Sequence, residues 1–345
     1  MEIGSFNFSQ NQTFIIAELS ANHNGSLELA KATIRAAKRA GADAIKLQTY
    51  RADTITLDVR DDEFKINHGT KWDGRYLHDL YQEAHLPWEW HQPLFETAAE
   101  EGLVCFSSPF DATAVELLET LGAPAYKIAS YEITDIPLIE LVASKDKPVI
   151  FSTGIADESD VRLAIEACKK QGNDQIIVLK CTSAYPTKPE DANLLTISEI
   201  ASRFNVIAGF SDHTLGIVAP VLSVAYGARV IEKHFILEKS SGGVDSHFSL
   251  DESEFSEMVE AVRTAEKMIG EVTFNITDAM RTQRDFSRSL YVAENIEKGE
   301  LITEQNVRSV RPGFGLHPKH YRQILGKKVN RFLAKGTAMS FDYLD

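Results

Sequence analysis

Short apolar runs rich in Val and Ile alternate, along the first 270 residues, with longer stretches of helical hydrophobic spacing. The runs occupy residues 13–17, 44–47, 103–106, 125–128, 149–151, 176–179, 206–208 and 230–231. Helical stretches such as 27–37 lie between them, and glycines such as Gly41 and Gly102 follow where a helix is expected to end. Eight such βα units in roughly 260 residues predict an α/β fold, a closed (β/α)₈ barrel more than an open doubly wound sheet.

The pattern changes after the helical stretch 254–269. Gly270 is followed by polar, weakly periodic residues to 286, and residues 287–345 show short strand patterns, tight turns and few helical signals. We therefore predict a barrel domain over 1–270, a linker over 271–286 and a small β-rich domain over 287–345. Residues 53–86 are too many for a simple βα turn, and we expect them to lie over one barrel mouth as a lid.

Charge is distributed unevenly between these parts. The 345 residues carry a net charge of −14, to which residues 287–345 contribute +4 and residues 1–286 contribute −18. A chain this acidic is not expected to bind nucleic acid or an anionic membrane over its whole surface. Three widely spaced cysteines allow neither a disulfide framework nor a C-x-x-C zinc site, and the apolar segment 14–19 is too short to span a bilayer. These features predict a cytoplasmic protein without a membrane or nucleic-acid partner.

Polar residues cluster at the carboxyl ends of the predicted strands, where barrel enzymes place their catalytic groups. Lys46, Lys127 and Lys180 stand in otherwise apolar strands, and a lysine that points into a barrel must meet an anion or a carboxylate. Serines accompany them at the strand ends and complete what resembles a cradle for a phosphate and a carboxylate: Ser108, Ser130, Ser152, Ser183 and Ser211. Two other interpretations stay open. The lysines either pair with Glu18, Glu132 or Glu232 inside the barrel or face outward between helices.

Two histidines, His213 and His234, end neighbouring predicted strands, so their imidazoles are placed to converge on one ion. A lone histidine is more often a packed or solvated residue, but the adjacent placement favours a ligand pair. With carboxylates nearby and no cysteine ligand, an octahedral site for Mn²⁺, Mg²⁺ or Co²⁺ fits better than structural zinc. Glu18 is the leading group for proton transfer, and a salt bridge to a barrel lysine is an equally weighted alternative.

The order of the motifs resembles that of the sialic acid synthase family over essentially the whole chain. The segments that carry the resemblance are FIIAELSANHNGSLELA, GADAIKLQTY, CFSSPFD, YKIAS, STGIA, KCTSAYPT, GFSDHTLG, VIEKHF, VDSHFSLDESEF, SLYVA, KGE and VRPGFGLHP. Family members that make N-acetylneuraminic or legionaminic acid tend to read AEIGVNHNG at the first motif and P-G-P-D-H near the second histidine. This chain reads AELSANHNG and G-V-D-S-H-F-S-L instead, and these segments resemble the pseudaminic branch.

The resemblance implies a (β/α)₈ barrel followed by an antifreeze-like (SAF) domain. It implies a transferase that condenses phosphoenolpyruvate with an open-chain amino sugar, here 2,4-diacetamido-2,4,6-trideoxy-L-altrose, to give pseudaminic acid and phosphate. The cofactor implied is a divalent metal, typically Mn²⁺. The partner implied is a second copy of the chain, in a domain-swapped homodimer.

Carried over motif by motif, the resemblance places the metal on His213 and His234, and matches Glu18 to the active-site glutamate. The expected phosphoenolpyruvate contacts are Lys46, Ser108, Lys127, Ser130, Ser152, Ser183 and Ser211. Some relatives have Asn at the position of Ser183. Tyr185 and Asp245 match sugar-side residues, and Arg311 matches the arginine that the SAF domain inserts into the partner's barrel.

Two alternatives remain at this point. The same chemistry with a manno-configured sugar would make N-acetylneuraminic or legionaminic acid. A non-catalytic sugar-binding barrel with an antifreeze-like appendage belongs to a different class, and the complete set of polar strand ends disfavours it.

Overall fold

A computed structural model describes residues 1–67, 69, 72–243 and 245–345 of the chain. Eight strands form a closed barrel in which every strand runs parallel to its neighbours and the last strand pairs with the first. They are β3 (Phe14–Glu18), β4 (Ala44–Thr49), β5 (Val104–Pro109), β6 (Tyr126–Ile128), β7 (Val149–Ser152), β8 (Ile176–Cys181), β9 (Ile207–Asp212) and β10 (Val230–His234). The predicted barrel is therefore confirmed, and each strand overlaps one of the eight apolar runs.

Helices follow the barrel strands in the order that the hydrophobic spacing predicts. They are α1 (Leu27–Arg39), α4 (His91–Glu100), α5 (Ala112–Thr120), α6 (Ile136–Ala143), α7 (Glu158–Lys170), α8 (Thr196–Phe204), α9 (Val218–Ala225) and α10 (Glu252–Ile269). The first illustrates why they form. The Ser26 side chain accepts a hydrogen bond from the Leu29 amide at the start of α1, Ile34 is buried on the inner face, and Gly41 with φ +88° follows the end.

The amino-terminal end of the barrel is filled with apolar side chains. A hairpin of β1 (Glu2–Ile3) and β2 (Phe6–Asn7) precedes the barrel, and the Phe6 ring lies 4.6 Å from the ring of Phe14 in β3. Inside the barrel, above this hairpin, apolar side chains from alternate strand positions form layers: Ile16, Ala44, Val104, Phe106, Ile150, Ile177, Leu179 and Val230. Because this end is closed by hydrocarbon, a polar site can lie only toward the carboxyl ends of the strands.

The long segment between β4 and α4 has secondary structure of its own. It contains α2 (Ala52–Ile55), a 3₁₀ turn at Asp62–Phe64 and α3 (Leu77–Ala84); positions 68, 70 and 71 of the expected lid lie outside the described residues. The Tyr81 ring of α3 meets Tyr50, which also contacts Phe110 after β5. The segment is thus anchored beside the carboxyl end of the barrel, and its action as a lid stays a prediction.

The chain divides into two compact units, Met1–Gly270 and Glu271–Asp345. The second unit contains α11 (Asp278–Arg284), α12 (Tyr321–Ile324) and the antiparallel pair β11 (Ser289–Val292) and β12 (Val307–Val310). Its own apolar core includes Leu290, Ile302, Val307, Ile324 and Val329. The expected linker 271–286 includes one short helix, α11, that the weak periodicity did not indicate. Across the described part of the chain, no helix is both long and apolar enough to cross a membrane.

Candidate active site

Strand register brings the charged residues of several strands to one level of the barrel. Glu18 at the end of β3 pairs in register with Lys46 of β4 on one side and with His234 of β10 on the other. Glu232 of β10 lies opposite Ser211 of β9. All of these side chains are buried. The polar layer therefore lies directly above the apolar layers that close the other end of the barrel.

The buried lysines and carboxylates are paired in this layer. Lys46 Nζ lies 2.6 Å from Glu18 Oε2 and 3.6 Å from Glu232 Oε1, and Lys127 Nζ lies 4.0 Å from the same Glu232 oxygen. Pairing inside the barrel, one of the interpretations left open by the sequence, is thus present for Lys46 and Lys127. Two cations and two carboxylates share one layer, so the layer is close to charge balance before any substrate enters.

The pKa values of the two carboxyl groups are shifted in opposite directions by burial and by the neighbouring lysine charges. Burial raises the pKa of Glu18 to about 7, with Lys46 opposing the rise and Glu232 adding to it. Burial also acts to raise the pKa of Glu232, but the positive charges of Lys127 and Lys46 outweigh it and hold that pKa below its usual value. Glu232 is therefore the permanent anion of the layer, and Glu18 can exchange a proton near neutral pH.

The serine hydroxyls fall into two groups. Ser108 accepts from Lys46 Nζ at 3.4 Å, Ser211 donates to Glu232 Oε1 at 3.2 Å, and Ser130 accepts from the Gly154 amide at 3.1 Å. By contrast, Ser152 Oγ and Ser183 Oγ are buried and find no hydrogen-bond partner within the described part of the molecule. An unpaired buried hydroxyl is costly, so these two are groups that a ligand would satisfy.

A glycine makes room for these hydroxyls. A Cβ atom on Gly154 would lie 2.0 Å from Ser183 Oγ and 2.6 Å from Ser130 Oγ, so no side chain fits there. The Gly154 amide also donates to Ser130. The loop after β7 therefore brings backbone and hydroxyl donors close together, which suits an anionic ligand.

The interpretation of Lys180 as a third cradle lysine is wrong. Leu179 fills the barrel interior and Val178 packs among the surrounding helices, so Lys180, next along β8, shares the outer face with Val178. Its Nζ donates to the Cys181 carbonyl at 2.6 Å and to Thr182 Oγ1 at 3.0 Å. Lys180 thus follows the alternative in which a lysine faces outward between helices.

His213 and His234 lie side by side, with ring centroids 5.2 Å apart. His213 Nδ1 lies 3.1 Å from the Thr182 carbonyl oxygen, which places the proton on Nδ1 and leaves Nε2 to bind a ligand. His234 Nδ1 is buried, with no hydrogen bond to any described atom. Burial, reinforced by nearby positive charges, lowers the pKa of His234 well below its usual value, so this ring is neutral as a metal requires.

A buried ion pair holds the two histidine strands together. Lys233 Nζ lies 2.5 Å from Asp212 Oδ2, and both side chains are fully buried. Asp212 also accepts from the Thr214 amide, and Lys233 donates to the Thr214 carbonyl. Since Asp212 precedes His213 and Lys233 precedes His234, the pair fixes the spacing of the two imidazoles.

The expected sugar-side residues are divided between the two units. The Tyr185 ring lies 4.4 Å from the His213 ring and 5.4 Å from that of Phe248. Asp245 accepts a 2.5 Å hydrogen bond from Ser20 Oγ, and its Oδ2 lies 3.8 Å from His234 Nδ1. Arg311 belongs to the second unit, where its side chain is exposed.

The structure adds two residues, Gln48 and Glu132, that the sequence had not assigned to catalysis or binding. Gln48 Nε2 donates to Glu18 Oε1 at 2.8 Å and to Ser20 Oγ at 3.2 Å. The sequence could have indicated this position, because Gln48 is two residues after Lys46 and therefore lies on the same face of β4. Glu132, previously considered only as a lysine partner, lies in the 3₁₀ turn Ser130–Glu132 after β6. Burial raises its pKa to about 7, and the charge of Lys127 opposes the rise.

A closed parallel barrel with paired charges, unpartnered hydroxyls and two imidazoles at the strand ends defines a barrel enzyme for an anionic substrate. Residues 33–274 match the model of the NeuB family, and residues 287–343 match the model of the SAF domain. The chain belongs to the NeuB family.

Two curated relatives are similar over nearly the whole chain. The pseudaminic acid synthase of Campylobacter jejuni (strain 81-176) is 51% identical over 339 residues, which covers 98% of each chain. The pseudaminic acid synthase of Helicobacter pylori is 48% identical over 332 residues, 96% of this chain and 97% of the relative.

A solved structure extends the comparison to another product. The N-acetylneuraminic acid synthetase of Leptospira borgpetersenii, crystallised with citrate, is 30% identical with a TM-score of 0.73 and covers 82% of this chain and 94% of its own. The barrel fold is therefore shared with an enzyme named for a different sugar.

We expect replacement of Glu132 by Gln to change how stability depends on pH. The ordinary pKa of this carboxyl is 4.5 and its folded value is about 7, so with rising pH the unfolded chain releases the proton first. The wild-type free energy of unfolding should therefore fall by about 1–3 kcal/mol between those two values, and Glu132→Gln should not show that part of the fall. Urea titrations at about pH 5 and about pH 8 measure it.

The matched control is Glu116→Gln, which alters an exposed glutamate on α5. Its free energy of unfolding should follow the wild-type curve at both pH values. Parallel curves for Glu132→Gln and wild type would show that the Glu132 carboxyl does not titrate in this range.

Proposed function

We propose that the protein condenses phosphoenolpyruvate with 2,4-diacetamido-2,4,6-trideoxy-L-altrose and water to give pseudaminic acid and phosphate, as a transferase. The observation that carries the proposal is the 51% identity with a pseudaminic acid synthase over 98% of both chains. The polar layer of the barrel supplies groups suited to this chemistry. All three cysteines, Cys105, Cys168 and Cys181, are free and buried, which agrees with a proposed location in a reducing cytoplasm.

Phosphoenolpyruvate is proposed to bind in the barrel between Lys46 and Lys127. Both ammonium groups are buried, and Ser152 and Ser183 lack partners among the described atoms. The phosphate and carboxylate would accept hydrogen bonds from these four side chains and from Ser108, Ser130 and Ser211. Lysine and serine donors in a site shielded from water hold such an anion more strongly than they would in bulk solvent.

Glu18 is proposed to act on the water that attacks C2 of phosphoenolpyruvate. Attack of C3 on the sugar aldehyde leaves positive character at C2, a water oxygen bonds there, and its proton passes to the Glu18 carboxylate. The tetrahedral intermediate then breaks the bond between C2 and the phosphate oxygen and becomes a ketone. The two protons of the water end on the former aldehyde oxygen and on the released phosphate. A pKa of about 7 suits Glu18 to this transfer, while Gln48 and Lys46 hold the carboxyl in place.

His213 and His234 are the proposed ligands of a divalent metal, for which Mn²⁺ is the first candidate and Mg²⁺ and Co²⁺ are alternatives. The residues fit, because His213 Nε2 is left to bind and buried His234 Nδ1 has no hydrogen bond within the described structure. Among described residues, no group of three or more His, Cys, Asp or Glu side chains could hold the ion, so substrate or water oxygens would complete its coordination. When bound, the metal supplies Lewis-acid polarisation of the aldehyde oxygen.

Tyr185 and Asp245 are proposed to contact the sugar from the barrel, and Arg311 from the second unit of a partner subunit. Two features support a homodimer. Apolar side chains after the barrel are almost fully exposed in the single chain, with Val272 at 97% and Phe274 at 98%. The net charges of −18 for residues 1–286 and +4 for residues 287–345 favour contact between opposite parts of two copies.

A panel of sugars tests the proposed reaction. With phosphoenolpyruvate and Mn²⁺ present, phosphate release should have its highest kcat/KM with 2,4-diacetamido-2,4,6-trideoxy-L-altrose. EDTA should abolish it. Bridging ¹⁸O at C2 of phosphoenolpyruvate should appear in the released phosphate, since the C–O bond breaks.

Each alternative has its own outcome in that assay. A higher kcat/KM with N-acetylmannosamine or with the legionaminic acid precursor would replace the proposed sugar. If none of the sugars increases the release of phosphate, the alternative of a non-catalytic sugar-binding barrel is favoured. Recovery of ¹⁸O in the sugar acid would contradict C–O cleavage.

Replacement of either proposed metal ligand should weaken metal binding directly. His213→Ala and His234→Ala are each expected to lose at least the roughly 10- to 100-fold in Mn²⁺ affinity that accompanies loss of a supporting residue. Electron paramagnetic resonance of free Mn²⁺ during titration measures affinity without activity. His317→Ala, an exposed histidine of the second unit, is the control. Wild-type affinity in both variants would place the metal elsewhere.

Mixed dimers test the partner role of Arg311. Subunits with Arg311→Ala keep an intact barrel, and subunits with His234→Ala keep an intact second unit. If Arg311 serves the partner's barrel, each mixed dimer regains one complete active site; if it serves its own barrel, none is regained. Differently tagged subunits purified through both tags give the mixed dimers, and phosphate release is the readout.

The same mixing with Arg308→Ala, an exposed arginine of β12, is the control and should be fully active on its own. A monomer in sedimentation experiments, or inactive dimers that carry both tags, would contradict service across the dimer.

A further inference from the structure

Ser20 has a backbone conformation that is unfavourable for its residue type. It follows β3 with φ +49°, in the left-handed region that glycine occupies readily and serine rarely does. The residue is buried, and the Asn22 amide closes the turn by donating to the Leu19 carbonyl. Strain of this kind persists only where the surrounding structure requires the side chain, and it often marks a functional position.

The hydroxyl of Ser20 connects two parts of the active site. Ser20 Oγ donates to Asp245 Oδ2 at 2.5 Å and accepts from Gln48 Nε2 at 3.2 Å, and that same amide nitrogen donates to Glu18 Oε1 at 2.8 Å. The chain Glu18, Gln48, Ser20, Asp245 therefore runs from the proton-transfer carboxyl to the sugar-side carboxylate.

Glycine would hold this backbone without strain but would provide no hydroxyl. Without that hydroxyl, Asp245 loses the 2.5 Å hydrogen bond that its Oδ2 accepts from Ser20. The strain at Ser20 is explained if a fixed Asp245 carboxylate is needed for substrate recognition.

We propose that Ser20 is a specificity-determining residue, which holds the Asp245 carboxylate in the orientation that recognises the diacetamido sugar. The inference rests on the proposed function and goes further by assigning sugar selectivity to one hydroxyl. Ser20 acts through Asp245, so it is a positioning residue; it leaves phosphoenolpyruvate binding to the lysine and serine groups of the barrel.

Two substitutions separate the hydroxyl from the backbone. Ser20→Ala removes the hydroxyl and keeps the strained Cβ, whereas Ser20→Gly removes the hydroxyl and relieves the strain. Both should lower kcat/KM for the diacetamido sugar by about 10- to 100-fold, the usual effect of losing a hydrogen bond to a charged group. The loss should fall on the KM of the sugar, with the KM of phosphoenolpyruvate unchanged. Selectivity over N-acetylmannosamine should fall in parallel.

Isothermal titration calorimetry with the diacetamido sugar and with N-acetylmannosamine gives the same comparison without turnover. Asn205→Gly is the matched control, because it relieves a φ of +52° at the end of α8. Its sugar selectivity and both KM values should equal those of wild type. Thermal melting of all three variants records the effect of strain relief separately.

The outcomes are distinct. Unchanged selectivity in both Ser20 variants overturns the proposal, and so does an effect in only one of them, since that follows the backbone instead of the hydroxyl. Equal losses for phosphoenolpyruvate and sugar would indicate general disruption and also overturn it. If Ser20→Ala fails to fold, Ser20→Cys takes its place, because it keeps the Cβ atom and replaces the hydroxyl by a weak donor. Failure of wild-type protein to release phosphate with the diacetamido sugar refutes the proposed function, independently of the variants.

Discussion

The contact between Lys46 and two carboxylates is the interaction on which the site depends. Placing four charged groups in a barrel interior is tolerable only because each has an opposite charge within reach. Lys46 meets Glu18 at 2.6 Å and Glu232 at 3.6 Å, and Lys127 approaches Glu232. The arrangement keeps both lysines available to an incoming anion. It also keeps one carboxyl, Glu18, at a pKa where it can gain or lose a proton.

The same layer shows how stability is given up for binding. The buried hydroxyls of Ser152 and Ser183 have no hydrogen-bond partner among the described residues. Residue 154 is a glycine because a Cβ atom there would overlap the neighbouring serine hydroxyls. A core chosen for stability alone would fill these positions with hydrocarbon, as the layers around Phe14 and Ile16 do. Stability comes instead from the apolar floor, and the fully buried pair of Lys233 and Asp212 connects the two histidine strands. These supports hold the unsatisfied groups in place.

Much of the fold and part of the site could be predicted from the sequence. Val- and Ile-rich runs at regular intervals allow few alternatives to a parallel barrel, and barrel geometry then requires strand-end residues such as Glu18 and His213 to meet. Lys180 shows where this reasoning stops. Strands of a parallel barrel are apolar on both faces, so alternation does not say which face points inward. Only the packing of Leu179 inside and Val178 outside places Lys180 among the helices.

By itself, the sequence determined the number of strands, the polar character of their ends and the family, because all three are written in local spacing and motif order. Tertiary structure alone decided which polar groups pair, which stay unsatisfied and which carboxyl keeps a proton. Those properties depend on burial and on contacts between residues far apart in the chain. Ser20 and Asp245 are 225 positions apart, yet their hydrogen bond accounts for a strained turn that no local pattern indicated.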